Sequence, residues 1–150
     1  MKEKKMKIRR QAQLTLIIIL ILVSLLSCSQ KTDELAGTEW ELATLNGKKL
    51  IEGTTITLNF TDEYLGGQMG CNGYGGSPDS GKYHTKGDGT FSLGALLAVT
   101  VQLCSEPEGI MEQEAAYIEA LRTASSYQIV ENCLELKDEF GDTLLIFQNK

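Results

Sequence analysis

The sequence of 150 residues predicts a mainly β (α+β) fold: a small curled antiparallel sheet or β-barrel of about seven or eight strands, with one α-helix near residues 106–124. Short segments alternate apolar and polar side chains, and turn-forming clusters separate them every 8–12 residues or so. A single stretch has the three- and four-residue period of an amphipathic helix. One domain, from residue 36 to residue 149, accounts for these features.

Clean alternation marks the first two strands. Residues 38–43 place glutamates on one face and apolar side chains on the other, as expected for a strand with one side in water. The dipeptide Asn46-Gly47 is preferred in tight hairpin turns. Residues 54–60 alternate again, so a second strand is expected there.

A glycine-rich stretch, residues 66–76, follows these strands. It has six glycines among eleven residues, with Cys71 and Asn72 side by side at its centre. Glycine is used where the backbone takes a positive φ or where another segment comes too close for a Cβ. The stretch therefore predicts a strand that bends sharply and then turns, with Cys71 at the bend.

The second half of the chain predicts short strands around a single helix. The strands are expected near residues 82–85, 91–93, 127–136 and 144–147. An apolar run covers residues 96–103. Ser105 and Glu108 then have the spacing of a capping box, with Pro107 in the first turn, and the helical period ends near Ala124.

The first 27 residues have the features of an export signal. Six Lys and Arg residues precede an apolar run from Leu14 to Leu26, which is shorter than the ~20 residues needed to span a bilayer. The run ends in Leu25-Leu26-Ser27-Cys28, which resembles the bacterial lipobox. We therefore expect a lipoprotein signal peptide over 1–27, lipidation of Cys28, and a lipidated tether over 28–35. The alternative is a membrane anchor that ends in cysteine.

The charge of the chain disfavours one class of partner. Removal of residues 1–27 takes away six of 14 basic residues but only one of 20 acidic residues, so the net charge changes from −6 to −11. Such a chain is repelled by nucleic-acid phosphates and by anionic lipid head groups. We expect no nucleic-acid partner, attachment to a membrane through the lipid on Cys28, and an extracytoplasmic place in the bacterial cell envelope.

Short motifs follow one another along the mature chain. They are Gly37-Thr38-Glu39-Trp40-Glu41-Leu42, Leu58-Asn59-Phe60, Gly70-Cys71-Asn72, Thr100 with Cys104, Leu134-Glu135-Leu136 and Leu145-Ile146-Phe147. In this order they resemble the META family of small bacterial domains, typified by a heat-shock lipoprotein. The resemblance implies a small β-barrel-like fold with one helix, an envelope location and a link to stress tolerance, without an established enzymatic activity. Gln102-Leu103 before Cys104, and the additional Cys133, depart from the family pattern.

Three thiols remain after lipidation of Cys28, at Cys71, Cys104 and Cys133. Disulfides are permitted outside the cytoplasm, and three pairings are possible. We prefer a Cys71–Cys104 bridge, which would join the glycine-rich bend to the start of the helix, with Cys133 free and buried. The alternative is that all three stay reduced and pack as small hydrophobic residues.

Two chemical sites are conceivable from residue types alone, and we predict neither. A metal site made of Cys71, His84, Cys104 and Cys133 lacks the short ligand spacings that paired ligands show. A cysteine-dependent hydrolase using Cys71, His84 and Asn72 conflicts with strand geometry, because adjacent side chains point to opposite faces. We expect no metal and no cofactor. The helix dipole explains the glutamates near the helix start, which are Glu106, Glu108, Glu112 and Glu114.

We expect a non-catalytic lipoprotein that binds an envelope partner or supports the envelope. The candidate binding surface includes Asn72 and an exposed Tyr74, because rigidly held loops on β scaffolds carry function. One alternative is a carrier that holds a small apolar ligand inside a barrel. Its interior would be lined by Trp40, Ile56, Leu58, Phe91 and Leu93.

Overall fold

Ten β-strands and one α-helix make up residues 34–150, the part of the chain that the computed structural model describes. They are β1 (Glu39–Leu45), β2 (Lys48–Lys49), β3 (Thr57–Phe60), β4 (Leu65–Gln68), β5 (Gly73–Gly75), β6 (Tyr83–Thr85), β7 (Phe91–Leu93), α1 (Ile110–Thr123), β8 (Ser126–Val130), β9 (Cys133–Lys137) and β10 (Thr143–Asn149). The mainly β fold with one helix is confirmed. More strands occur than expected because several are only two or three residues long. The predicted signal peptide and Cys28 lie outside the described residues.

All strand pairs are antiparallel. The large sheet has the order β5–β4–β3–β1–β10–β9–β8, with β2 paired to β1, and β6 and β7 form a separate hairpin. This hairpin meets the large sheet through two single bridges, Tyr64 to Lys82 and Thr90 to Ser126. The sheet therefore curls, as predicted. It does not close into a barrel, which was the other expectation.

The core lies between the centre of the large sheet and α1. Alternation along β1 buries Trp40 and Leu42, and Leu42 pairs with the buried Phe147 of β10. Tyr117 and Leu121 of α1 are fully buried in the same hydrophobic cluster. The helix thus covers the apolar face of the central strands, and it holds the end of the sheet that contains β5.

The folded domain includes a residue that was assigned to the tether. Leu35 is fully buried in the core cluster, and the backbone N–H of Gly37 donates to the carbonyl oxygen of Phe60 at 3.0 Å. The apolar side chain of Leu35 explains the difference, because its burial stabilises the start of β1 against β3. The expectation that the tether extends to residue 35 is therefore wrong at its last position.

Helix α1 begins at Ile110 rather than near residue 106. Gly109 at the N-cap has a left-handed φ of 84°, and no side chain caps the helix. The predicted capping box of Ser105 and Glu108 is wrong because a residue with that φ cannot belong to a right-handed helix. The end at Thr123 agrees with the prediction. No helix within residues 34–150 has the length and apolar character needed to cross a bilayer.

The glycine-rich stretch brings backbone close to backbone. A Cβ added to Gly67 would lie 2.0 Å from the carbonyl oxygen of Thr57, and one added to Gly75 would lie 2.3 Å from that of Leu65. These positions therefore require glycine. The chain bends between β4 and β5, where Gly70 has a φ of 111°, as the sequence predicts.

Candidate functional site

The disulfide at the bend joins two distant parts of the chain. Cys71 lies between β4 and β5, and it is bonded to Cys104, which precedes α1; their Cα atoms are 6.2 Å apart. This is the pairing that we preferred among the three possible ones. Cys133 is a free thiol, as expected, but it is only half-buried in β9. The disulfide attaches the glycine-rich bend to the segment that leads into the helix.

Glu114 of α1 is a buried carboxylate at the centre of the site. Only 4% of the residue is exposed. One carboxylate oxygen, Oε1, accepts the backbone N–H groups of Cys71 and Asn72, both at 2.6 Å, and Oε2 accepts the Nδ2 of Asn72 at 2.8 Å. Three N–H donors thus compensate for the loss of water around the carboxylate. The helix dipole does not explain this glutamate, contrary to our expectation.

The side-chain amide of Asn72 continues the network to a third part of the chain. Its Nδ2 also donates to the carbonyl oxygen of Gln102 at 3.1 Å. Its Oδ1 accepts the hydroxyl of Thr100 at 2.9 Å and the backbone N–H of Gln102 at 2.7 Å. Both donor positions and both acceptor positions of the amide are therefore occupied by the protein. Asn72, which we predicted to be part of the binding surface, is buried, and its side chain holds the neighbouring backbone in place.

We call residues 98–103 the edge segment, because they lie beyond β5 at the end of the large sheet. The backbone N–H of Thr100 donates to the carbonyl oxygen of Gly73 at 3.0 Å, and the N–H of Gly75 donates to that of Ala98 at 2.9 Å. The hydroxyl of Thr100 also accepts the N–H of Gly73 at 3.0 Å. The edge segment is thus attached to β5 by backbone bonds and to α1 through Asn72 and Glu114.

A groove runs between the edge segment and α1, with a volume of about 450 Å³. Met111, Ala115 and Ile118 line it from the helix, and Met69 and Asn72 also contribute to its lining. The apolar side chains of the edge segment, Val99, Val101 and Leu103, are exposed to 37%, 91% and 90%. The apolar run over residues 96–103 is therefore largely outside the core.

Beneath the groove, two tyrosines connect β5 to α1. The hydroxyl of Tyr74 donates to the carbonyl oxygen of Thr57 at 2.8 Å and lies 2.5 Å from the hydroxyl of Tyr117. Burial raises the pKa of both phenols, and the neighbouring Tyr117 raises the pKa of Tyr74 further. The expectation that Tyr74 is an exposed aromatic residue is wrong, because its ring packs edge-on against Tyr117 in the core.

His84 occupies a different part of the surface. It is exposed in β6, and it lines a depression of about 380 Å³ together with Asp79 and Lys82. Cys71, the nucleophile of the hydrolase alternative, has its sulfur in the disulfide and is not available as a thiolate. Among residues 34–150, no group of three or more His, Cys, Asp or Glu side chains is arranged to hold a metal ion.

The sequence contained one signal for the role of Glu114. The buried residues of α1 include Ile110, Tyr117 and Leu121, and Glu114 is four residues after the first and three before the second, on the same helical face. A carboxylate inside an apolar stripe indicates a buried acid with dedicated partners. Thr100, which binds Asn72, gave no comparable signal apart from its polarity within an apolar run.

Comparison with known proteins supports the resemblance seen in the motifs. The META domain family matches residues 33–150. An NMR structure of a protein from Burkholderia xenovorans has 27% identity and a TM-score of 0.55, covering 77% of this chain and 83% of its own. A second NMR structure has the same fold at 22% identity and a TM-score of 0.57, covering 76% and 90%. No curated protein matches the chain. Because the family match includes all of the described residues, the chain belongs to the META domain family.

Proposed function

We propose that this chain is a cell-envelope lipoprotein, attached through a lipid on Cys28, whose META domain binds a partner and catalyses no reaction. The observation that carries the proposal is the set of contacts that hold the edge segment in place. A disulfide, a buried glutamate and a fully bonded asparagine hold an apolar segment at the surface. Such a construction presents a fixed surface to another molecule.

The location rests on two features. The lipobox-like Leu25-Leu26-Ser27-Cys28 follows an apolar run of signal-peptide length. The Cys71–Cys104 disulfide fits an oxidising, extracytoplasmic compartment, because such bonds are rare among cytosolic proteins. Stable attachment needs more than one acyl chain, and the lipobox resemblance implies several. The stress-related role linked to the family is compatible with this location.

Binding rather than catalysis is supported by the chemistry of the site. Cys71 is oxidised, and the carboxylate of Glu114 accepts three hydrogen bonds from protein groups. The amide of Asn72 has no hydrogen-bonding position left for a substrate. The most reactive residue types of the site thus serve to position the edge segment.

The carrier alternative has less support. Trp40, Ile56, Leu58 and Phe91, which would line a barrel interior, are at most 2% exposed and belong to the same core cluster as the helix. Leu93 packs against that cluster. These side chains fill the space that an interior ligand would need.

Metabolic labelling tests the attachment. We expect the wild-type chain to incorporate radiolabelled palmitate and to partition into the detergent phase of Triton X-114. The Cys28→Ala variant should lose the label and move to the aqueous phase, whereas Cys133→Ala should behave as wild type. An unlabelled wild-type chain in the aqueous phase would contradict the proposal.

Cross-linking in intact cells tests whether the domain binds a partner. We expect the wild-type chain to be recovered in a defined cross-linked complex, at a yield that falls when the Cys71–Cys104 disulfide is removed. A chain that stays uncross-linked in its native membrane, while a known envelope complex is captured in the same sample, would contradict partner binding.

A further inference from the structure

The groove beside α1 is an apolar surface that the described chain leaves uncovered. Val101 and Leu103 project into solvent with about nine-tenths of their surface exposed, and Val99 lies beside them. Contiguous exposed apolar side chains next to a groove mark a site of interaction. The network described above holds these side chains in place, so their exposure is not the result of a loose loop.

The backbone of the edge segment has one bonded side and one open side. The N–H groups of Thr100 and Gln102 bond towards β5 and Asn72. Because the N–H and C=O groups of an extended chain alternate in direction, those of Val99, Val101 and Leu103 point the other way. Within residues 34–150 these three N–H groups have no hydrogen-bond partner. The edge segment is therefore an open strand edge that can accept another strand.

The opposite wall of the groove is a helix face. Met111, Ala115 and Ile118 follow one another at steps of four and three residues, so they form one stripe along α1. A strand edge facing an apolar helix stripe allows an extended peptide to be added to the sheet while every second side chain enters the groove. The length of the edge segment suits a partner of about five or six residues.

The charge around the groove selects among extended partners. Glu119 lines the groove, and Glu112 is exposed on α1 three residues before Ala115, which also lines it. We call Glu112 and Glu119 the acidic rim. Arg122 is the one basic residue that lines the groove. A basic segment would be attracted to this acidic rim, whereas a second copy of the chain would bring like charges together.

We propose that the edge segment receives a basic, extended segment of another polypeptide as an added β-strand, with alternate apolar side chains in the groove and Lys or Arg residues next to the acidic rim. The inference rests on the proposed function and names the chemistry of its partner.

A random library of 12-residue peptides, selected against the full chain in detergent, tests the proposal. We expect enrichment of basic sequences with apolar residues at every second position. Val101→Asp should weaken binding of the selected peptide about tenfold or more. Phe140→Asp, at another highly exposed apolar site, should change the Kd less than about twofold. Circular dichroism verifies that both variants stay folded. Enrichment of acidic or patternless sequences, or equal binding to both variants, would overturn the proposal.

Charge is tested with matched pairs. Glu112→Lys with Glu119→Lys should weaken the peptide several-fold and reduce the salt dependence of binding. Glu63→Lys with Glu139→Lys changes the net charge equally at exposed sites away from the groove, and should have a clearly smaller effect. Equal effects of the two pairs would mean that net charge alone attracts the peptide, and would overturn the proposed role of the acidic rim.

Backbone pairing is tested by N-methylation of the selected peptide. Two versions carry methyl groups on alternate amides, one on each edge of the strand. We expect one version to lose binding and the other to retain it, because only one edge faces the chain. Equal binding by both would overturn strand addition.

Other occupants give distinct results. A dimer that is seen in sedimentation velocity and is dissociated by Val101→Asp would mean that a second copy of the chain binds the edge segment. Binding of the Cys28→Ala chain to phosphatidylcholine vesicles that is lost in the Val101→Asp background would assign it to lipid. Either result would overturn the peptide assignment, while palmitate labelling of Cys28 and cross-linking in cells would still test the proposed function separately.

Discussion

The two ends of the large sheet are stabilised in different ways. At the β8–β9 end, five residue pairs form a regular hairpin, and Leu134 and Leu136 are fully buried in the core. At the β5 end, the strands are short and rich in glycine, and a disulfide and Glu114 hold the chain beyond them. Both ends bury apolar side chains, including Leu65 and Tyr74 at the β5 end, and the β5 end is held in addition by a covalent bond and directional polar contacts.

This difference has a physical reason. The hydrophobic effect is non-directional, so it stabilises a segment only by removing its apolar surface from water. It cannot hold the edge segment in place while Val101 and Leu103 remain exposed. Hydrogen bonds and a disulfide can, because they act on the backbone and leave the apolar side chains free. We therefore expect the β5 end of the sheet to depend on these contacts.

The largest effect is expected at Gly67. A Cβ there would meet the carbonyl oxygen of Thr57 at 2.0 Å, so Gly67→Ala must displace the backbone of β3 or β4. We expect the free energy of unfolding to fall by about 4 kcal/mol or more in urea denaturation. Gly47→Ala, where nothing lies within 4 Å but φ is positive, should cost only about 1 kcal/mol. Similar losses for both would mean that close packing of β4 is unimportant.

The next effect is expected at Glu114. Glu114→Ala leaves the N–H group of the half-buried Cys71 and that of the buried Asn72 without an acceptor, so we expect a loss of about 3 kcal/mol in the free energy of unfolding. Glu112→Ala, on the exposed side of the same helix, should cost less than about 0.5 kcal/mol. A Glu114→Ala variant as stable as Glu112→Ala would show that the carboxylate does not hold the bend.

Removal of the disulfide should have an effect of similar size. The bond closes a loop of 33 residues, for which chain entropy predicts about 3–4 kcal/mol, and removal of a native disulfide typically costs about 2–5 kcal/mol. The double variant Cys71→Ser, Cys104→Ser is compared with Cys133→Ser, which should lose less than about 1 kcal/mol. Peptide mapping without reduction should find only Cys133 alkylated in the folded domain; alkylated Cys71 would reject the bridge.

A smaller effect with a defined pH dependence is expected at the tyrosine pair. Since the folded-state pKa values of Tyr74 and Tyr117 are raised, the pair contributes its full stability below the unfolded tyrosine pKa of about 10 and loses it as the pH rises further. Tyr117→Phe should cost about 1 kcal/mol at pH 7 and make the decline above pH 10 less steep. An unchanged slope in Tyr117→Phe would contradict the shifted pKa.

Local patterns predicted the regular elements of the fold. The alternation of residues 54–60 corresponds to β3, and the helical period ends within a residue of the end of α1. The start of α1 could not be predicted, since it depends on the left-handed φ of Gly109, which a capping-box spacing does not reveal. Fold class thus followed from periodicity, while element boundaries followed from backbone conformations that many sequences permit.

The candidate site was predicted only in part. The Cys71–Cys104 pair could be proposed from the sequence, but the burial of Tyr74 and the partners of Glu114 could not. Glu114 meets Asn72 across 42 residues of sequence, so its partners exist only once the helix has packed against the bend. The exposure of Val101 also depends on residues distant in sequence, because an apolar run predicts a buried segment unless the surrounding sheet is known.

Residue-resolved amide hydrogen exchange reports whether the edge segment is held by its polar contacts. We expect slow exchange at Thr100 and Gln102, whose N–H groups are hydrogen-bonded, and fast exchange at Val99 and Val101, whose N–H groups have no partner within the described residues. In Glu114→Ala, protection at Gln102 should fall while that of Leu136 in β9 changes only with global stability. Uniformly fast exchange from residue 98 to residue 103 in the wild-type chain would contradict the account.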